Sequence, residues 1–511
     1  MSLTGLSLAP TPPRRERDST VVARRARRAG IGYRSPVSRR LAPALALALV
    51  PLVSLVSCTS PPPPSATAAA PPALSGSAQR EPAAPLRFID DDVPAALARA
   101  RAEKKVVFVD AWAPWCHTCL SMKHFVLDDP SLRPLADQVI FAAIDTDRPE
   151  NAAFLERHPI KALPTFFVLD PDDEHALGYW VGSSSVAEMR ALLEESVREK
   201  AGGAPDAGSR AFAEARAAHA AGKLDAAEAA YRKAVEIAPA SWPNRSAAVV
   251  GLLEVLRGKK DFQGCADLGA RHLREVRGAV SPIDASAYLL DCAKQLPDPA
   301  ARKEKEALAL ERLRELCAHP PEGSTVDDRA DALDILSDAL GEAGDAAAAR
   351  EAQEKRLALM EAAARAAKTP EEAQTFDYGR ANAYVALGRA PEAVRMLEQR
   401  EKELPGSYEP PARLASVLNR SDRPAEALVA VERALARAYG PRRLRYLSLR
   451  ASILRKLGDG ARELATLREE VKGYEALPPG QASPESLADA RRRLAEAEKR
   501  VAPPPATAAS H

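Results

Sequence analysis

The chain has 511 residues, more than one ordinary hydrophobic core accommodates, so two or more folded units joined by flexible segments are expected. Its 72 Lys+Arg against 70 Asp+Glu leave a formal charge of +2, which gives no electrostatic case for nucleic acid as a partner. Six cysteines in this length do not make a disulfide scaffold, and 5% aromatic residues with an Ala-, Leu-, Arg- and Glu-rich second half favour helices there.

The charge is unevenly placed. The first forty residues hold ten Arg against only Glu16 and Asp18, and from Cys58 onward the formal balance turns to −6. Ser38-Arg39-Arg40 precedes sixteen uncharged residues, Leu41 to Val56, and then Ser57 and Cys58, which is the order of a secretory signal. The apolar run is shorter than the roughly 20 residues of a spanning helix and contains Pro43 and Pro51. Leu55-Val56-Ser57-Cys58 resembles the lipobox of bacterial lipoproteins. The resemblance implies that residues 1–57 are a leader and that Cys58 is a lipid anchor in the cell envelope, facing the periplasm. An uncleaved membrane anchor ending in an ordinary Cys is the alternative, and either one exports the rest of the chain. Thr59 and Ser60 carry no inner-membrane retention aspartate of the enterobacterial kind, so the same resemblance points to the outer membrane. Residues 1–37 are long for the basic region of a signal, and Val37 is an alternative start. Residues 58–85, with the run Pro61 to Pro64, are Pro, Ser and Ala rich and hold too little apolar side chain to repay ordering entropy. They read as a tether that extends about 3.1 Å per residue.

Residues 86–200 alternate period types. Ala95 to Ala102 suits a helix, Val106 to Val109 a buried strand, the residues after Cys116 a helix, and Val139 to Ile144 another strand. Thr165 to Leu169 and Leu177 to Val181 are two more strands, and Ser185 to Arg198 a closing helix. This is an α/β unit, and residues 201–208 after it, Gly and Pro rich, read as a linker.

Trp115-Cys116-His117-Thr118-Cys119 lies where a strand hands over to a helix. Cys116 is then placed at a helix N-terminus, where the macrodipole and free amides stabilise a thiolate. Cys119 is one helical turn on, placed to resolve a mixed disulfide formed at Cys116. The alternative reading of CxxC is half a zinc site, but no second CxxC or closely spaced His pair accompanies it. No metal and no cofactor beyond the Cys116–Cys119 pair is expected.

Val109-Asp110-Ala111-Trp112-Ala113-Pro114-Trp115-Cys116 resembles the active-site strand and turn of thioredoxins, and Ala162-Leu163-Pro164-Thr165 resembles their cis-proline loop. The match spans about 115 residues. Together with Lys123 to Pro130 it is most similar to the periplasmic C-terminal domain of the transmembrane disulfide reductase that brings electrons into the periplasm. The resemblance implies a thioredoxin-like α/β fold. It also implies that Asp110 is a buried carboxylate assisting proton transfer to Cys119, and that Pro164 is cis and lines a substrate groove. Leu163, Thr165, His117 and Trp115 are read as groove or support residues, and packing that shields the nucleophile is the other reading of Trp115. A solvated strand-end carboxylate is the other reading of Asp110. His117-Thr118 departs from the common Gly-Pro dipeptide. A cationic His117 would lower the Cys116 pKa and make the pair more oxidising, whereas an exposed polar residue is the plainer reading.

From residue 209 to 500, amphipathic helices of about 12 to 18 residues are joined by short Gly or Pro turns. Gly388 and Ala393 open a helix-turn-helix, and Ala427 comes 34 residues after Ala393, the tetratricopeptide length. Gly222, Ala227, Tyr231, Ala234 and Pro239 resemble the second half of that repeat, and Gly344 with Ala349 repeats the offset of five. An all-α, tetratricopeptide-like solenoid offering a concave surface to a peptide or protein is therefore expected. A helical spacer or oligomerisation unit is the alternative. Cys265, Cys292 and Cys317 read as core residues, with a Cys265–Cys292 pairing left open. Residues 501–511 read as a disordered tail.

Two functions are compatible with these residues. One is a membrane-tethered extracytoplasmic thiol-disulfide oxidoreductase, a reductase or isomerase of exported proteins, fed by a thiol electron donor and recruiting partners through its repeats. The other is a non-catalytic scaffold lipoprotein in which the repeats are the working part.

Overall fold

A computed structural model describes residues 85–203, 207–239 and 241–501. The leader, the Cys58 anchor, the tether up to residue 84 and the tail from 502 lie outside the described residues.

The α/β unit is built on one five-stranded sheet. Its strands are β1 (Phe88–Asp90), β2 (Val106–Trp112), β3 (Val139–Asp145), β4 (Thr165–Leu169) and β5 (Ala176–Val181), in the order β1-β3-β2-β4-β5. Strands β1 and β2 run parallel to β3, and β4 is antiparallel to both β2 and β5. Around the sheet lie α1 (Val93–Glu103), α2 (His117–Met122), α3 (Ala152–Arg157) and α4 (Val186–Lys200). Helix α2 runs on through a π turn, Lys123–Leu127, into a 3-10 segment, Pro130–Asp137. Asp92 caps α1, and Ser185 with Glu188 forms a reciprocal capping box on α4.

Strand β2 is buried along both faces until Trp112. The period of two sends Val106 and Phe108 into a core with Met122, Val126 and Leu193, and Val107, Val109 and Ala111 into a core with Leu97, Ile140 and Leu155. Asp110 shares the parity of Val106 and Phe108, so it belongs to the face covered by α2. Strand β1 and helix α3 are absent from the sequence reading because three and six residues are too short to show a period.

The second half contains α5 (Ala207–Ala220), α6 (Leu224–Ile237), α7 (Arg245–Gly258), α8 (Phe262–His272), α9 (Ser281–Ala293) and α10 (Pro299–Ala318). It continues with α11 (Val326–Glu342), α12 (Ala346–Ala366), the short α13 (Pro370–Gln374), α14 (Asp377–Ala386) and α15 (Ala390–Glu403). The last five are α16 (Glu409–Arg420), α17 (Pro424–Leu435), α18 (Gly440–Lys456), α19 (Gly460–Glu475) and α20 (Pro484–Val501). Helix α5 begins inside the segment read as a linker. No strand occurs among the described residues of this half, and no helix of the described residues is long and apolar enough to cross a membrane.

Most hairpins turn through one left-handed residue, the usual way to end a helix sharply. Gly222, Gly344, Gly388 and Gly458 do this with φ between 71° and 86°, while Lys260 and Asp422 do it without being glycine. Gly258 is the last residue of α7, and the turn itself falls on Lys260. Ala227, Ala234, Ala393 and Ala427 are fully buried and let paired helices approach, as the repeat reading requires, whereas Ala349 is only half-buried. The structure thus has a thioredoxin-like α/β domain followed by an all-α, tetratricopeptide-like array. Cys265 and Cys292 are joined in a disulfide between α8 and α9, Cα to Cα 6.1 Å, and Cys317 is a free, half-buried thiol.

The array curls around the α/β unit. Arg216 of α5 lies over the Tyr179 ring on β5, 5.8 Å away. The Phe125 ring packs on Phe376 at 5.7 Å, and Ser121 of α2 donates to Thr325, the cap of α11, at 3.1 Å. Beyond α19 a 3-10 turn, Pro479–Gln481, sits against α3, where Gln481 donates to the carbonyls of Thr146 and Arg148 at 2.9 Å each.

Candidate redox site

Strand β2 ends at Trp112, three residues turn, and Cys116 becomes the N-cap of α2. Its Sγ accepts the Cys119 backbone N–H at 3.1 Å, so the sulfur receives one of the free amides of the first turn. Cys116 and Cys119 form a disulfide with Cα atoms 5.2 Å apart. Cys116 is 6% exposed and Cys119 1%, which makes Cys116 the sulfur an incoming thiol reaches first. Around them pack Ala113, Trp112, Trp115 and Leu163, and the Leu163–Pro164 bond is cis. Thr165 is fully buried and donates to the Ala162 carbonyl at 2.7 Å, closing the loop that carries the proline.

Asp110 is buried on β2, and one of its carboxylate oxygens has no hydrogen-bond partner. Burial pushes its pKa up to about 7, with Lys123 pulling weakly the other way. A carboxyl group that titrates near neutrality and lacks a fixed partner is free to take and return a proton.

The remaining contacts come from the helical half. His117 Nδ1 lies 3.0 Å from both carboxylate oxygens of Asp327 on α11, and its ring stacks on Tyr378 of α14 at 5.1 Å. Burial pushes the His117 pKa down, but the Asp327 charge and hydrogen bond outweigh it, and the net direction is up. His117 is therefore not the exposed residue of the plainer reading. Trp115 donates its indole N–H to Asp147 at 2.7 Å, and burial raises that carboxyl to about 7. Arg442 of α18 lies 4.5 Å over the Trp115 ring, and Arg413 of α16 donates to the Trp115 carbonyl at 3.4 Å. Tyr439 donates to Asp145, and Tyr446 to Glu409.

Between motif and repeats remains a cavity of about 350 Å³, with Cys116, Trp115, His117, Thr118 and Leu163 on one side and helices α14, α16 and α18 on the other. None of the repeat residues that face the motif was singled out in the sequence. A signal existed: Asp327, Asp331 and Asp334 recur at helical spacing, and Glu409 with Arg413 at i, i+4, on faces that a solenoid should keep apolar. Two clusters among the described residues hold three metal-ligating groups within 4.8 Å, His117 with Asp327 and Asp331, and Asp170 with Asp173 and His175. In each, the His Nδ1 lies within hydrogen-bond distance of an aspartate.

Residues 88–171 match the thioredoxin-like family. The thiol:disulfide interchange protein DsbD of Tatumella citrea is 25% identical over 126 residues, 23% of this chain and 22% of that protein. Protein disulfide-isomerase 1 of Dictyostelium discoideum is 30% identical over 67 residues, 13% of this chain and 18% of that protein. The chain thus spans about a fifth of the length of these relatives. A solved tetratricopeptide repeat protein from Parabacteroides merdae is 15% identical, covers 57% of this chain and all of its own, and superposes with a TM-score of 0.36.

Proposed function

We propose that this chain is a thiol-disulfide oxidoreductase working outside the cytoplasm, tethered through Cys58, with Cys116 as nucleophile and Cys119 as resolving thiol. The observation that carries this reading is the Cys116–Cys119 disulfide across the first turn of α2, beside the cis Leu163–Pro164 bond and near the orphaned Asp110. In the reduced state the Cys116 thiolate attacks a substrate disulfide and one substrate thiolate leaves. Cys119, its proton passed to Asp110, then attacks the Cys116 sulfur, releasing the second substrate thiol and restoring the disulfide. Two electrons pass to substrate in each cycle, and a thiol donor returns them. The Cys265–Cys292 disulfide, buried and far from this chemistry in sequence, supports an oxidising compartment.

The test is a thiol titration of residues 59–511. A reversible two-electron transition that Cys116→Ser abolishes is expected, near about −270 mV for a reductase and near about −120 mV for an oxidant. Cys119→Ser, which keeps the nucleophile, should accumulate a mixed disulfide. With no reversible transition, the redox reading fails and a scaffold built on the repeats replaces it. For the anchor, Cys58→Ser in the full-length chain should lose fatty-acid incorporation and leave the membrane fraction.

A further inference from the structure

We infer that the helical repeats convert the redox face into a cationic pocket for a small thiol or disulfide bearing carboxylates, rather than an open groove for folded proteins. This rests on the redox reading above and names its substrate class. Three observations point the same way.

The first is size. The cavity in front of Cys116, about 350 Å³, is at the lower end of small-ligand sites, and Cys116 as a residue is 6% exposed. A folded protein cannot bring a surface disulfide to that sulfur without lifting α14, α16 and α18 away.

The second is charge. Arg413, Arg420 and Arg442 line the cavity against one carboxylate, Glu409. Glu409 is already engaged by Arg413 at 3.0 Å, by Arg442 at 3.7 Å and by Tyr446. Arg420, at the rim, donates to Asn382 at 3.0 Å, and no carboxylate pairs with it among the described residues. Among the lining residues, Arg413 and Arg442 share the charge of Glu409 and Arg420 has no carboxylate partner, so the wall of the cavity is net positive.

The third is an unmet donor. Arg413 is 8% exposed, yet its Nη1 is buried with no hydrogen-bond partner. A buried guanidinium N–H without an acceptor costs more than its bonded counterpart, and a ligand carboxylate matches the Arg fork once Arg413, which faces the Tyr378 ring at 5.9 Å, turns toward the cavity.

The exchange balances without another reactant. The Cys116–Cys119 disulfide plus two RSH gives the dithiol plus RSSR, and the reverse oxidises the dithiol at the expense of RSSR. In each direction one S–S bond breaks and one forms, and two electrons and two protons move between the partners.

The experiment measures the oxidation of the reduced full chain by oxidised glutathione, which is anionic, and by cystamine, which is cationic. The ratio of the two rate constants is compared between wild type, Arg420→Gln and Arg420→Glu, so that the intrinsic reactivity of each disulfide cancels. The ratio should fall about threefold in the first variant and about tenfold in the second, and the wild-type ratio should shrink as salt is raised. An unchanged ratio in both variants overturns the pocket while leaving the redox reading intact. So does oxidation of the dithiol by a folded protein's surface disulfide as fast as by oxidised glutathione. If neither small disulfide oxidises the dithiol, the redox reading falls with it.

Discussion

The two halves of the helical array bury different things. In α5 to α10 the interior is Leu252, Leu253, Leu256, Leu289 and their neighbours, stapled by Cys265–Cys292; the buried polar side chains among the described residues there are two serines, Ser281 and Ser286, with Arg216 and Asp284 half-buried. From α11 onward the interior takes in Asp327, Arg356, Asp377, Arg400, Glu409, Arg413 and Glu470. Buried ion pairs are weak sources of stability, because desolvation consumes most of the attraction. The first half is thus organised as a core and the second as a polar wall. Asp327 and Arg413 of that wall bond directly to residues of the redox motif, and Glu409 holds Arg413 in place.

If this contrast is right, damage to the first half should lower stability and leave the redox chemistry alone. Replacing both Cys265 and Cys292 by Ser should lower unfolding stability by about 3 kcal/mol, measured by denaturant titration. The Cys116–Cys119 potential should not move, and a shift in it would dissolve the distinction. Beneath the site, Asp110→Asn should slow the resolving step about a hundredfold in stopped-flow assays at neutral pH. The same variant sharpens the cost of buried charge. The folded pKa of Asp110, about 7, stands above the ordinary carboxylate value, so its share of stability is complete below about pH 4 and lost as pH rises through 7. Asp110→Asn should therefore be the more stable protein at pH 8, and lose that advantage in acid.

Damage to the second half should reach the redox chemistry. In Asp327→Asn the His117 imidazolium loses its partner, keeping only the weaker Asp331 charge against Arg413, so its pKa should fall towards or below that of free histidine. A neutral His117 no longer favours the Cys116 thiolate, so the reduced form is destabilised and the potential should drop by about 30 mV, or 1.4 kcal/mol. The raised folded pKa of His117 means that the pair stabilises the fold below about pH 6.5 and ceases to as pH rises through the folded value. The stability gap between wild type and Asp327→Asn should narrow accordingly, and a gap flat in pH would count against the ion pair. A local effect is expected at Gly440, whose φ of 55° is left-handed and where a Cβ would collide with the Asp147 carbonyl. Gly440→Ala should cost about 2–4 kcal/mol, left-handed strain and the backbone clash adding, and alter Trp115 fluorescence, since Asp147 holds that indole.

Much of the fold was legible because its signals are local. Thr165 to Leu169 is a strand with the same bounds in sequence and structure, and Ser185 marks the start of α4 because a Ser three residues before a Glu is a capping box. The Gly-to-Ala offset of five marks real hairpins, since a left-handed turn ends one helix and a small residue at that distance, buried at Ala227 and Ala393 and half-buried at Ala349, lets the next helix fold back. The site was legible in part. Strand, turn and CxxC lie within fourteen residues, so their order alone positions Cys116 at the helix start.

By itself, then, the sequence determined the strand-to-helix turn that presents the two cysteines, the cis-proline loop by resemblance, and the helical period of the second half. The tertiary structure alone decided that Cys265 pairs with Cys292, that Asp327 faces His117 across 210 positions, and that Arg413 and Arg442 close over Trp115. The reason is geometric. Where a helix falls relative to the motif depends on the accumulated rotation of every hairpin before it, and small rotations summed over about ten helices are not written at any one position of the chain.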